Sequence, residues 1–136
     1  MNIFTYGSLM FEEVWSRLIS NTYDRQPASL SGYARKVVSG QHYPAIYQDP
    51  KSTAISGVVY FDLHPSDVAT LDRFEGDYYQ RITERLTLPG DITITADVYV
   101  LRDTYRHIVS NNDWDADIFK DRMHHFIDDY FGFSKV

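Results

Sequence analysis

Residues 81–101 read Arg-Ile-Thr-Glu-Arg-Leu-Thr-Leu-Pro-Gly-Asp-Ile-Thr-Ile-Thr-Ala-Asp-Val-Tyr-Val-Leu. Polar and apolar side chains alternate from Arg81 to Leu88, and Pro89-Gly90-Asp91 turns the chain. The alternation then resumes, with Ile92, Ile94, Ala96, Val98 and Val100 on one side. A period of two on both arms of a short glycine-containing turn predicts an antiparallel hairpin. A sheet is therefore being built by neighbouring strands rather than by helical crossovers.

Upstream, the same signals repeat in shorter pieces. Residues 2–6 read as a buried strand that stops at Gly7-Ser8, and residues 11–19 as a helix with Val14, Trp15 and Leu18 on its apolar side. Residues 33–39 and 45–48 are predicted strands around the turn Gly40-Gln41-His42-Tyr43-Pro44. Residues 55–62 form the clearest central strand. Pro65 suits the first position of a helix, where its missing N–H does no harm, and that helix is predicted over 66–75. Downstream, Asp113 is predicted as the N-cap of a terminal helix with Asp115 and Asp117 in its first turn. Ile118, Phe119, Met123, Phe126, Ile127 and Tyr130 are its expected buried face. Five or six strands with a few helices, out of strict alternation, predict an α+β domain. Strands this short and mostly antiparallel are expected to close into a small barrel flanked by helices.

Composition bounds the function. The 136 residues fit one domain, 1–136, without repeats or linkers. A net charge of -6 with no Lys/Arg run argues against nucleic acid. No stretch approaches the roughly 20 apolar residues of a membrane helix. The first strand starts too early to leave room for a signal peptide, so a cytoplasmic location is expected. The chain has no cysteine, which removes thiol nucleophiles, disulfides and cysteine metal sites. His124-His125 are adjacent, so they are expected on different sides of the helix and not as a chelating pair. Ser8 lacks the second glycine of a nucleophile elbow. Asp113, Asp115 and Asp117 lack the glycine and distal glutamate of a calcium loop. No metal, cofactor or obligate protein partner is expected.

Two segments could carry chemistry. Counting back from Glu75, Leu71 and Val68 lie on the same helical face, which places a carboxylate in an apolar stripe at a helix end beside Gly76. Partial desolvation there would lift its pKa toward the range of a general acid/base. The helix could equally have ended by that point, leaving Glu75 in water. The second segment is Gly7-Ser8-Leu9, a strand-to-helix junction whose N–H groups could hold an anion without a basic side chain. It could also be a plain tight turn.

Taken together, Tyr6-Gly7-Ser8-Leu9, Tyr43-Pro44, and Leu71-Asp72-Arg73-Phe74-Glu75-Gly76 followed by Tyr79 and Arg81 resemble the gamma-glutamylcyclotransferase-like family. Trp114-Asp115 and residues 123–127 are similar to its plant avirulence-induced branch. The resemblance runs from residue 2 to about residue 130. It implies a small mixed β-barrel flanked by helices, and an enzyme that converts a γ-glutamyl amine or γ-glutamyl amino acid to 5-oxoproline plus free amine. It further implies a carboxylate cradle of Gly7, Ser8 and Leu9 amides, with Glu75 moving the proton. Tyr79 is expected to contact substrate or steady Glu75, or else to be only a strand-start aromatic. Tyr6 is expected at the pocket floor and Tyr43 at its mouth, while Arg81 is expected in a structural ion pair. A non-catalytic carboxylate-binding module of the same fold is the alternative, although such a binder has no need of a half-buried acid.

Overall fold

The structure is a computed structural model that describes residues 1–131, with side chains through residue 128. Eight strands and three α-helices follow in chain order: β1 (Ile3–Thr5), α1 (Glu12–Leu18), β2 (Arg25–Leu30), β3 (Tyr33–Val38), β4 (Pro44–Gln48), β5 (Ile55–Tyr60), α2 (Pro65–Glu75), β6 (Tyr79–Leu88), β7 (Ile92–Leu101), β8 (Val109–Asp113) and α3 (Ala116–Phe131). Five strands close a barrel in the order β1-β5-β2-β6-β7, and β4-β3-β8 form a second sheet. The fold is thus α+β, with a mixed barrel. β1 runs antiparallel to β5 but parallel to β7, through Ile3 opposite Asp97, and that parallel contact closes the ring.

The hairpin read from residues 81–101 is present, paired in register from Tyr79 opposite Leu101 to Leu88 opposite Ile92. Its inward face begins later than the alternation implied. Ala96 and Val98 are buried, whereas Ile92 at the hairpin tip is 56% exposed. Alternation of side chains across each strand divides the core in two. One cluster takes Phe4, Ala28, Leu30, Val59, Leu86 and Val98 from the barrel strands, together with Tyr33 and Ile46 of the second sheet. The other joins their neighbours of opposite parity, Ile3, Tyr60 and Tyr99, to Val14, Leu71 and Phe119 of the helices. At Gly57 the strands β1 and β5 approach so closely that a Cβ would lie 2.2 Å from the Thr5 carbonyl oxygen, so only glycine fits.

Two strands escaped the sequence reading, and one cap is displaced. β2 contains Pro27, which ordinarily argues against a central strand, yet it pairs along its length with β5 from Arg25 opposite Tyr60 to Leu30 opposite Ile55. β8 carries the polar run Ser110-Asn111-Asn112-Asp113 and no alternation, and its half of the pairing with β3 is broken by a register shift. Because β8 stays extended through Asp113, that residue is not the helix cap; it pairs with Lys36 instead. Asp115 is the cap, its Oδ1 accepting from the N–H groups of Asp117 at 2.8 Å and Ile118 at 3.2 Å. Among the described side chains of α3, Phe119 and Phe126 are buried. Met123 and Ile127 are half-buried, and Ile118 is 59% exposed, contrary to the expected face. Tyr130 lies outside the described side chains. Among the described residues no helix is long and apolar enough to cross a membrane.

Candidate active site

The Tyr6–Leu9 loop leaves β1 and bends into a short 3-10 helix, Ser8–Met10. Its carbonyl groups are all engaged. That of Tyr6 accepts from Arg35 Nη1 at 2.9 Å, that of Gly7 from Met10 N at 3.0 Å, that of Ser8 from Phe11 N at 3.2 Å, and that of Leu9 from the Tyr60 hydroxyl at 3.3 Å. The Tyr60 ring is itself fixed by stacking on Trp15 at 3.7 Å. Among the described residues, by contrast, the N–H groups of Gly7, Ser8 and Leu9 donate to no protein acceptor. The loop is therefore a rigid run of spare donors, the arrangement that binds anions at helix starts. Gly7 is required by close packing and not by a left-handed backbone. Its φ is -138°, and a Cβ would sit 2.7 Å from Cδ of Pro44.

Glu75 is the last residue of α2, which the chain leaves through Gly76 at φ 76°, a conformation that glycine adopts without strain. Leu71 and Val68 of the same face are buried, so the stripe inferred from the sequence holds. The residue keeps partial solvent contact, and its carboxyl makes no hydrogen bond or ion pair among the described residues. Desolvation therefore acts uncompensated and pushes its pKa from 4.5 up to about 8. The surrounding groups carry aromatic hydroxyls. Tyr6 is only 7% exposed and donates to the Tyr99 carbonyl at 2.6 Å. Its pKa is raised by burial first, then by the proximity of Tyr79 and Glu75. Tyr79, the first residue of β6, donates its hydroxyl to the Pro44 carbonyl at 3.2 Å, tying the start of β4 to the residues that follow Glu75.

A network behind the acid fixes its helix. Asp72, one turn before Glu75, accepts from the Tyr99 hydroxyl at 2.7 Å and from Arg81 Nε at 2.9 Å. Arg81 also binds Asp97 at 2.6 Å, so it is the structural ion-pair residue expected from the sequence. Although partial burial acts to raise it, the bonds from Tyr99 and Arg81 hold the Asp72 pKa below its ordinary value. The end of α2 is thereby stapled to the β6–β7 hairpin.

Between loop and acid lies a cavity of about 270 Å³. Glu75, Tyr6, Gly7, Ser8, Leu9, Tyr43 and Tyr79 all line it, so the fold brings the expected acid, cradle and tyrosines to one place, with Arg81 outside it. Sequence reasoning missed Phe74, Tyr78, Tyr99 and Phe126, which line it as well, beside Phe4, Thr5 and Pro44. Phe74 and Tyr78 could have been suspected from their nearness to Glu75. Tyr99 and Phe126 reach the cavity only through the hairpin register and the docking of α3, which no local pattern announces. The rings of the exposed His124 and His125 touch, with centroids 4.0 Å apart, rather than diverging. Among the described residues no group of three potential ligands could hold a metal ion.

Comparison with known proteins places this geometry. The sequence model of the family described as "Gamma-glutamyl cyclotransferase, AIG2-like" matches residues 3–116. Protein AIG2 C of Arabidopsis thaliana is 30% identical over 100 residues, which cover 73% of this chain and 60% of that protein. AIG2-like protein D of the same plant is 33% identical over 101 residues, covering 73% and 66%. The chain thus spans less than two thirds of the length of these relatives. A protein of Arabidopsis thaliana solved in solution superimposes with a TM-score of 0.72 at 24% identity, over 95% of this chain and 87% of that one. A solved gamma-glutamyl cyclotransferase superimposes with a TM-score of 0.65 at 20% identity, over 74% and 66%. The structural likenesses carry the fold and the family match spans most of the sequence, the loop and the acid included: the chain belongs to the gamma-glutamyl cyclotransferase, AIG2-like family.

Proposed function

We propose that the cavity cyclises a γ-glutamyl amine or γ-glutamyl amino acid to 5-oxoproline, releasing the free amine, with Glu75 as general acid/base. The observation that carries this reading is the pairing of an uncompensated, desolvated carboxyl with three spare backbone donors in one cavity. In this reading the amides of Gly7, Ser8 and Leu9 hold the α-carboxylate. The γ-glutamyl chain then folds so that its α-nitrogen faces its own γ-carbonyl carbon. Glu75 takes a proton from the α-ammonium, and the freed amine attacks. The new C–N bond closes the five-membered ring, and the proton passes from Glu75 to the departing nitrogen as the old C–N bond breaks. The ring nitrogen's second proton then leaves through the regenerated Glu75 carboxylate to the released amine, giving a neutral lactam and a protonated amine. Nothing is oxidised, and no water is consumed.

The perturbed acid suits both steps. An α-amino group titrates at about 7.7–8.0, whereas an ordinary glutamate at about 4.3 is a poor match for it. At about 8, Glu75 exchanges a proton with such an amine at little free-energy difference and remains acidic enough to protonate a leaving amine. Because the attack is intramolecular, holding the near-attack pose supplies much of the rate enhancement. Tyr6 and Tyr79 shape the floor beside the acid, and Tyr43 lies at the mouth. The test is incubation with γ-glutamyl amines and γ-glutamyl dipeptides and an assay for 5-oxoproline. Tight binding of a γ-glutamyl compound without any 5-oxoproline would make the protein a carboxylate-binding module instead.

A further inference from the structure

The cradle loop is gripped from behind by one side chain. Arg35, on β3, lies outside the cavity, in a separate depression with Ser56 and Trp114. The pairing of β1 with β5 ends at Thr5 opposite Val58. Just past that end, Arg35 Nη1 donates to the Tyr6 carbonyl and to the Ser56 carbonyl, each at 2.9 Å. The guanidinium rests over the Trp114 ring at 5.1 Å, and the indole N–H of Trp114 is anchored in turn on the His42 carbonyl at 2.9 Å. Burial acts to lower the Arg35 pKa, but an arginine keeps its charge across the physiological range. Asp113, whose charge favours the cation, is itself bonded to Lys36. The bonds that Arg35 makes here are thus to the backbone, at the place where the chain turns from β1 into the cradle.

The Tyr6 carbonyl belongs to the same peptide unit as the Gly7 N–H. In a trans peptide the two point in opposite directions. A donor that fixes the carbonyl outside the cavity turns the N–H away from itself, and Gly7 lies on the cavity wall. A cation on the carbonyl also polarises the unit, so the N–H becomes a stronger donor. Resting on the cyclotransferase reading, we propose that Arg35, seated on Trp114, is a positioning residue for the substrate carboxylate: it acts through the Tyr6–Gly7 peptide, aiming and strengthening the Gly7 N–H without touching substrate.

Arg35→Met keeps a chain of similar length beside Trp114 and removes both bonds. With γ-glutamyl methylamine as substrate, KM is expected to rise about 10-fold or more, the loss typical of a bond to a charged group. Because Glu75 stands on α2, kcat is expected to stay within about 3-fold. Arg35→Lys keeps the charge but not the planar fork, is expected to fall between wild type and Arg35→Met, and carries the test if the methionine variant does not fold. Lys36→Met removes a neighbouring cation of the same depression, and its KM is expected to stay within about 2-fold of wild type. NMR reads the cradle itself. In the Glu75→Gln protein, adding γ-glutamyl methylamine is expected to move the Gly7 amide proton downfield, as a new hydrogen bond does. Adding Arg35→Met or Arg35→Lys to that protein is expected to shrink the movement, with thermal melts showing that the variants fold. A folded Arg35 variant with a wild-type KM, or with an unchanged Gly7 movement, overturns the role of Arg35 and leaves the cyclotransferase reading standing. An equal rise in KM for Lys36→Met assigns the effect to the general field of the depression and overturns it as well. A wild type that neither binds γ-glutamyl methylamine nor forms 5-oxoproline removes the cyclotransferase reading, and this inference with it.

Discussion

Replacing Glu75 with glutamine should stabilise the protein at alkaline pH, and the size of that gain follows from the site. The Glu75 carboxyl titrates near 4.5 in the unfolded chain and at about 8 in the fold. Between those values it is ionised when unfolded and protonated when folded, so the unfolded state binds fewer protons. Stability then falls as pH rises through this window and is flat with respect to this group on either side. At about 1.36 kcal/mol per pKa unit, ionisation lowers wild-type stability by about 3 kcal/mol at pH 7 and about 5 kcal/mol at pH 9, relative to pH 4. Against a total stability of about 5–15 kcal/mol that is a large share. Glutamine cannot ionise, so the whole term vanishes in Glu75→Gln, while every other titrating group is common to both proteins. Urea unfolding of both at pH 5, 7 and 9 measures it. The stability difference should grow in favour of the variant by several kcal/mol from pH 5 to pH 9. Curves that stay parallel within about 1 kcal/mol would show that Glu75 titrates as an ordinary surface glutamate, and the argument from desolvation would fail.

The same variant should lose about 10²–10⁴-fold in turnover, because shape is kept but proton transfer is removed. The wild-type kcat/KM should fall below a limb near pH 8 as Glu75 becomes protonated in the free enzyme; a steady-state pH profile checks this, and a limb near pH 4.5 would contradict it. Ser8→Ala should weaken substrate binding by only about 0.5–1.5 kcal/mol, since the proposed cradle uses its backbone. Gly7→Val should destabilise the fold by about 1–3 kcal/mol and abolish binding, because its side chain drives into Pro44; calorimetric titration that finds the opposite order would replace the amide cradle with a side-chain role for Ser8. Asp72→Ala should cost about 1 kcal/mol near neutrality, read by urea unfolding, as the Tyr99 hydroxyl loses its acceptor. Asp72 is held below its ordinary pKa, so its contribution should be present above about pH 4 and disappear as pH falls through its folded value.

How much of this was legible in the sequence depends on how local each signal is. The hairpin of β6 and β7, the proline-started helix α2 and the placement of Glu75 on its buried face all follow from periods of two or 3.6 within single segments. Their pairing and burial agree with that reading. β2 was hidden because Pro27 and its polar neighbours obscure a strand whose pairing comes from β5. β8 was hidden because it carries no apolar alternation and is held by β3 and the Ser110 hydroxyl bond to the Val37 carbonyl. The displaced cap at Asp115 has the same origin, since three aspartates in five residues offer equal local signals and only the sheet pairing of Asp113 selects among them. The site divides in the same way. Gly7 was read as a turn residue, but the contact that demands glycine comes from Pro44, 37 residues away in the chain. Tyr99 and Phe126 enter the cavity wall by tertiary register alone.

The central claim is that this cavity closes a γ-glutamyl chain on itself. It is tested most directly by following a γ-glutamyl amine labelled with ¹³C at the γ-carbonyl, using NMR, with wild type and Glu75→Gln side by side. With wild type the amide carbonyl signal should be replaced by the lactam carbonyl of 5-oxoproline, one for one with released amine, and the variant should leave the substrate essentially unchanged over the same period. Free glutamate in place of the lactam would mean that water and not the α-nitrogen attacks. Equal conversion by the variant would remove Glu75 from the chemistry.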